Sequence, residues 1–253
     1  MVKLALSILA VMIVMVNSAG CIVQPPAKAA AAWFNEPDRT EEPGTTVALP
    51  PEAAYWTARG IHFEGPWQED EIEMVIAVLA RFADRLGEAR FLALVRKAVL
   101  MGTGGARETL TFRRDVDVVG LVGTWAFHEG RITLYDGLFD PEHLEDSYAL
   151  RFEHHLEHVP SGPVSPPMFT VAHELGHALV EGLRQELVAE ALAPTLLEDA
   201  YAESVALDAR AHPFHSVKEN VVSEIGLWVL EVPRSPAVDT YREDYLAPAL
   251  LDE

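Results

Sequence analysis

The stretch FTVAHELGHALVEGL, residues 169 to 183, constrains this chain more than any other segment. Phe169, Val171 and Ala172 precede its polar center and Ala178, Leu179 and Val180 follow it, the flanks of a buried helix. Into that run are set His173, Glu174 and His177. On a helix the two histidines, four apart, stand one turn above each other on one face, with Glu174 beside them. Unpartnered buried imidazoles and carboxylates cost kilocalories, so something must meet these side chains inside the fold. Gly176 costs the helix about 1 kcal/mol against alanine, which makes sense where another element packs tightly against it.

Two neutral imidazoles at this separation can take two corners of a tetrahedral zinc site. HExxH on a helix is the metalloprotease motif: zinc supplies Lewis acidity and the glutamate is the general base toward a metal-bound water. A catalytic zinc needs a third protein ligand and an open fourth position. The extended pattern HExxHxxGxxH is not followed, because Val180 and Leu183 stand where its glycine and third histidine belong. A later helix is therefore expected to supply the ligand. TLLEDAYAESVALDARAH, residues 195 to 212, starts after Pro194 and offers Glu198, Asp199 and Glu203. Thr195 and Glu198 fit a capping box, a structural task for Glu198. Glu203 is the favored ligand and Glu198 the alternate, while Asp199 can serve either as ligand or as a brace for one.

HELGH followed by EDAYAESVALDA resembles the zincin metallopeptidases of the gluzincin type. Within them it is similar to small bacterial forms related to the anthrax lethal factor catalytic domain, whose second motif resembles Glu-x-Phe-Ala-Glu. The resemblance covers roughly residues 130 to 210. It implies an α+β, zincin-like domain with an active-site helix, a small sheet and a C-terminal helical part. It also implies Glu174 as base, His173 and His177 as ligands, and the strand GRITLYDGLF, residues 130 to 139, as the cleft edge that binds substrate. The second motif aligns in two ways. Setting AYAES on Phe-Ala-Glu puts Asp199 at the ligand position and Glu203 at the supporting one. Setting Glu198 on the ligand leaves Ala202 where a supporting acid is expected.

The rest of the chain organizes around this helix. The first residues, MVKLALSILAVMIVMVNSAGC, carry Lys3, an apolar run from Leu4 to Val16 and small residues before Cys21. That run suits a secretory segment and falls short of the roughly 20 residues a membrane span needs. Cys21 is the only cysteine, which excludes an intrachain disulfide, and Ala-Gly-Cys resembles a bacterial lipobox. Residues 1–20 are thus expected to be a lipoprotein signal peptide, with Cys21 lipidated and the protein tethered in the cell envelope. Ile22 after the cysteine favors the outer membrane. Residues 21–55, rich in Pro, Ala, Glu and Thr, read as a flexible tether, and residues 56–253 as the metallopeptidase domain. A formal charge of −20 argues against nucleic acid as a partner.

Within the domain, residues 68–86 show one apolar helical face, with acidic residues at the start and Gly87 at the end. EARFLALVRKAVL continues as a second helix, and residues 107–123 and 130–139 read as strands. EHHLEH, residues 153 to 158, reads as a solvated segment, with a second metal site as the sharper alternative. His212, His215, Tyr201 and Tyr241 are candidates for stabilizing an oxyanion over the zinc. Met168 and Trp228 read as core. The function expected is an exported, membrane-tethered zinc metallopeptidase acting on a peptide or protein. The alternatives are a non-catalytic zinc-binding lipoprotein on the same fold, and a structural zinc closed by four protein ligands, one of them from EHHLEH.

Overall fold

The computed structural model describes residues 49–116, 122–140, 164–189, 196–205 and 217–251. The expected signal peptide, Cys21 and most of the expected tether lie outside these residues, as do EHHLEH, His212 and His215. Among the described residues no helix is long and apolar enough to cross a membrane.

The described fold opens with helix α1 (Pro51–Thr57), whose Ala53 and Trp56 are buried. Residues 51 to 55, assigned from sequence to the tether, therefore belong to the packed domain. The edge-on contact of the Trp56 ring with Phe91 gives the physical reason. Strand β1 (Ile61–Glu64) follows, then α2 (Glu69–Leu86) and α3 (Glu88–Gly102). In α2 the acidic first turn faces the positive end of the helix dipole, and Glu71 accepts the Gln68 backbone N–H at 3.1 Å. Gly87, at φ 80°, adopts the left-handed backbone that separates α2 from α3 without a side-chain clash.

Strands β2 (Leu110–Asp115), β3 (Gly123–Ala126) and β4 (Arg131–Tyr135) join β1 in one sheet of order β1-β2-β4-β3. β1, β2 and β4 run parallel, and β3 is antiparallel to β4. The sheet with its surrounding helices makes the domain α+β, as expected. The strand in residues 130 to 139 is not at the cleft edge, however. Among the described strands β4 is interior to the sheet and β3 lies at its edge. β4 joins the parallel ladder on β2 with Ile132 and Leu134 in the core, which leaves its short antiparallel neighbor outermost.

Helix α4 (Pro166–Ala189) contains the HELGH segment and runs through the center of the core, against α2, α3 and the β3–β4 side of the sheet. α5 (Leu196–Val205) covers only the first part of the helix expected over 195–212; the remainder lies outside the described residues. α6 (Val217–Val229) packs along α4 and is buried from Asn220 onward. α7 (Pro236–Tyr241), a π-helical turn (Arg242–Leu246) and α8 (Ala247–Leu251) close the chain. Trp228 is in the core as expected, and Met168, half-buried, packs against it.

Two glycines set how closely α4 and α6 approach. A Cβ on Gly176 would stand 2.7 Å from the Val222 carbonyl oxygen, and one on Gly226 would stand 3.2 Å from the backbone of Ala172. The tight packing expected at Gly176 is thus present, and its partner is α6.

Candidate metal centre

His173, Glu174 and His177 project from the middle of α4 and are all buried, at 5%, 1% and 5% exposure. The imidazole planes stand nearly perpendicular, with centroids 4.9 Å apart. Facing them is a side chain that is not among the sequence candidates. Glu219, in the first turn of α6, brings its Oε2 to 3.3 Å from the Nε2 of His173 and to 3.3 Å from the Nε2 of His177. One atom from each of the three residues lies within 4.8 Å of the other two, so the group can hold a metal ion.

The donors are oriented from behind. His173 Nδ1 lies 3.1 Å from the hydroxyl of Ser223, four residues after Glu219 and hence on the same face of α6. With Ser223 accepting the Nδ1 proton, the Nε2 lone pair of His173 is left directed at Glu219. One helix therefore supplies both a possible ligand and the brace for another.

Several atoms here lack what a neutral interior would provide. Glu174 Oε2 and His177 Nε2 are buried without a hydrogen-bond partner; the 3.3 Å approach of Glu219 to His177 is close without being aligned as a hydrogen bond. Burial, together with the charge of Glu219, pushes the Glu174 carboxyl above its ordinary range, against the opposing pull of both histidines and the Trp125 backbone N–H. For Glu219, burial acts upward, but the two imidazoles beside it outweigh that and hold the carboxyl well below its ordinary range. A single divalent cation would satisfy both nitrogens and the carboxylate at once.

The carboxylates expected as third ligand are elsewhere. Glu203 is exposed on α5, as is Asp199. Glu198 accepts from Arg184 Nη2 at 2.8 Å, an ion pair that joins α5 to the end of α4. The physical reason lies in packing: α6, not α5, makes the close glycine-mediated contact with the HELGH turn. Of the oxyanion candidates, Tyr241 is buried with its hydroxyl donating to the Leu197 carbonyl at 3.3 Å, and Tyr201 stands edge-on to it. Glu219 nonetheless has a signal in the sequence. ENVVSEIG sets a carboxylate and a serine four apart in an apolar helix with a glycine nearby, the same kind of pattern as HELGH.

The strand beside Glu174 is β3. The hydrogen bond from Tyr135 N to the Val122 carbonyl, at 3.2 Å, sets the ladder phase. Thr124 and Ala126 then bond to β4, while the backbone groups of Gly123 and Trp125 point away from it. No protein-family model matches this chain, and neither do any curated protein or solved structure.

Proposed function

We propose that this chain is a zinc-dependent metallopeptidase of zincin type, with His173, His177 and Glu219 as ligands and Glu174 as general base. The observation that carries the reading is the pair of 3.3 Å separations between Glu219 Oε2 and the two Nε2 atoms. A regular tetrahedron with bonds of about 2.0–2.1 Å to nitrogen and oxygen has edges of about 3.3–3.4 Å, so these separations match a zinc-sized tetrahedral site. Two imidazoles and one carboxylate suit zinc and disfavor calcium or magnesium, which take oxygen ligands.

Bound at this site, zinc supplies Lewis acidity to a water and to a carbonyl oxygen. The chain's own groups do the rest. Glu174 is not one of the three converging donors, and its unpartnered Oε2 is available to take a proton from water. A carboxyl pushed upward by burial holds that proton more readily and can pass it to a leaving amine. The outward backbone groups of Gly123 and the outward carbonyl of Trp125 suit an extended peptide pairing along β3, which favors a polypeptide substrate over a small molecule. The resemblance of residues 1–21 to a lipoprotein leader supports an exported enzyme tethered through Cys21. Membrane association should then be lost in Cys21→Ser.

The test is the metal content and peptide hydrolysis of wild type and Glu174→Gln. Wild type is expected to carry close to one zinc per chain. The variant is expected to keep the zinc and lose hydrolysis by a factor of about 10²–10⁴. A zinc-loaded wild type without activity on a peptide library would favor the non-catalytic binding protein.

A further inference from the structure

The edge strand lies unusually close to the helix turn that carries Glu174. A Cβ built on Gly123 would stand 2.8 Å from Thr170 Cγ2, 3.3 Å from Glu174 Cγ and 3.4 Å from Glu174 Oε1. The backbone of Gly123 is not in the left-handed region, so conformation alone does not call for glycine there. Elsewhere in a strand, alanine in place of glycine is neutral or stabilizing, because it restricts the unfolded chain. Here the obstacle is contact. Two residues on, the backbone N–H of Trp125 lies near enough to the Glu174 carboxylate to favor its charged form. Oε1 of Glu174 thus lies beside β3, while Oε2 is left without a partner.

We propose that Gly123 is a positioning residue for Glu174. Its missing side chain lets β3 lie against the Thr170–Glu174 turn, so that the strand holds one carboxylate oxygen and leaves the other free. The inference rests on the proposed role of Glu174 and deepens it, because the substrate-facing strand also sets the base. A methyl group at position 123 has two outlets. It lifts β3 from α4, weakening the Trp125 contact, or it pushes the Glu174 side chain off its line. Both displace the carboxylate without touching His173, His177 or Glu219.

The steric contact is testable by rescue. Thr170→Ser deletes the colliding methyl and keeps the hydroxyl, which donates to the Pro166 carbonyl at 3.2 Å. The probe is acetohydroxamic acid titrated calorimetrically into the zinc-loaded full chain, since a hydroxamate chelates the metal and hydrogen-bonds to the base carboxylate. Gly123→Ala is expected to keep wild-type zinc content and bind the hydroxamate about tenfold more weakly, the scale of a lost charge-assisted hydrogen bond. Peptide hydrolysis should fall about a hundredfold, as for a base misplaced by about 1 Å. Gly123→Ala/Thr170→Ser should recover most of both. Thr124→Ala, on the opposite face of the same strand, should bind the hydroxamate as wild type does.

The inference is overturned if Gly123→Ala binds hydroxamate as tightly as wild type, if it loses zinc in parallel, or if the double variant stays as weak as the single. Should Gly123→Ala alone fail to fold, a folded double variant with wild-type binding supports the contact, and one that remains weak refutes it. A wild type that takes up no zinc removes the reading of Glu174 itself, a failure distinct from these.

Discussion

Helix α6 carries two inward-turned carboxylates, the half-buried Glu219 and the buried Glu224, whose surroundings are opposite. Glu224 is clamped by Arg234 Nε at 3.0 Å on one oxygen and by Arg242 Nη2 at 2.9 Å on the other. Arg242 also donates to the Val232 carbonyl at 2.8 Å, so this cluster ties α7 and the π-helical turn to α6. The same solution recurs at Glu71, which receives Arg114 Nε and Nη2 at 3.0 Å each. In both cases the chain supplies its own cation. Beside Glu219 stand two imidazoles, which carry charge solely when protonated. Burial of polar groups therefore does not by itself separate the ion-paired clusters from the candidate metal centre. The separating feature is whether the countercharge is part of the chain.

That contrast can be broken by substitution, and the largest effect belongs to the metal ligands. His177→Ala and Glu219→Ala are expected to bring bound zinc from near one per chain to near none, as measured by elemental analysis of the purified protein. If Glu203→Ala empties the site and Glu219→Ala does not, the α5 carboxylate is the ligand and the contrast collapses. Next in size, Glu224→Gln leaves Arg242 and Arg234 without their carboxylate. It should cost about 3–5 kcal/mol in urea unfolding, the scale of a broken buried ion pair, while the folded variant keeps its zinc. Loss of zinc without loss of stability would assign Glu224 to the metal centre instead.

Ser223→Ala removes the brace on His173 Nδ1. Zinc affinity should fall about 10–100-fold in competition with a chelator, and stability should fall by only about 1 kcal/mol. An unchanged affinity would mean that packing alone orients the ring. Smallest is Glu198→Ala, which breaks a partly exposed pair with Arg184 and should cost at most about 1 kcal/mol with no change in zinc. A drop in metal content there would restore Glu198 as a ligand.

Much of the fold is legible in the sequence because it rests on local periodicity. The apolar face and acidic start of α2, the stop at Gly87 and the extent of α3 follow from spacing and end signals that act within a few residues. β1 and β3 leave no such signal because each is only four residues long, too short for alternation to stand out. The edge position of β3 is equally hidden. Strand order depends on which segments pair across the chain, and β4 pairs with β2 on one side and β3 on the other.

The candidate site divides along the same line. That His173 and His177 share a face with Glu174 beside them is a consequence of helical pitch alone, so the amino-acid order suffices to mark the segment that holds them. Which carboxylate completes the group is a matter of how two helices cross. Glu198 and Glu203 lie nearer in sequence, on a helix where Glu198 meets Arg184 and Glu203 is exposed. Glu219 reaches the imidazoles because Gly176 and Gly226 let α4 and α6 close to backbone contact. Local spacing decides direction along one helix; only tertiary packing decides what stands opposite, because that contact joins residues the chain's short-range geometry does not relate.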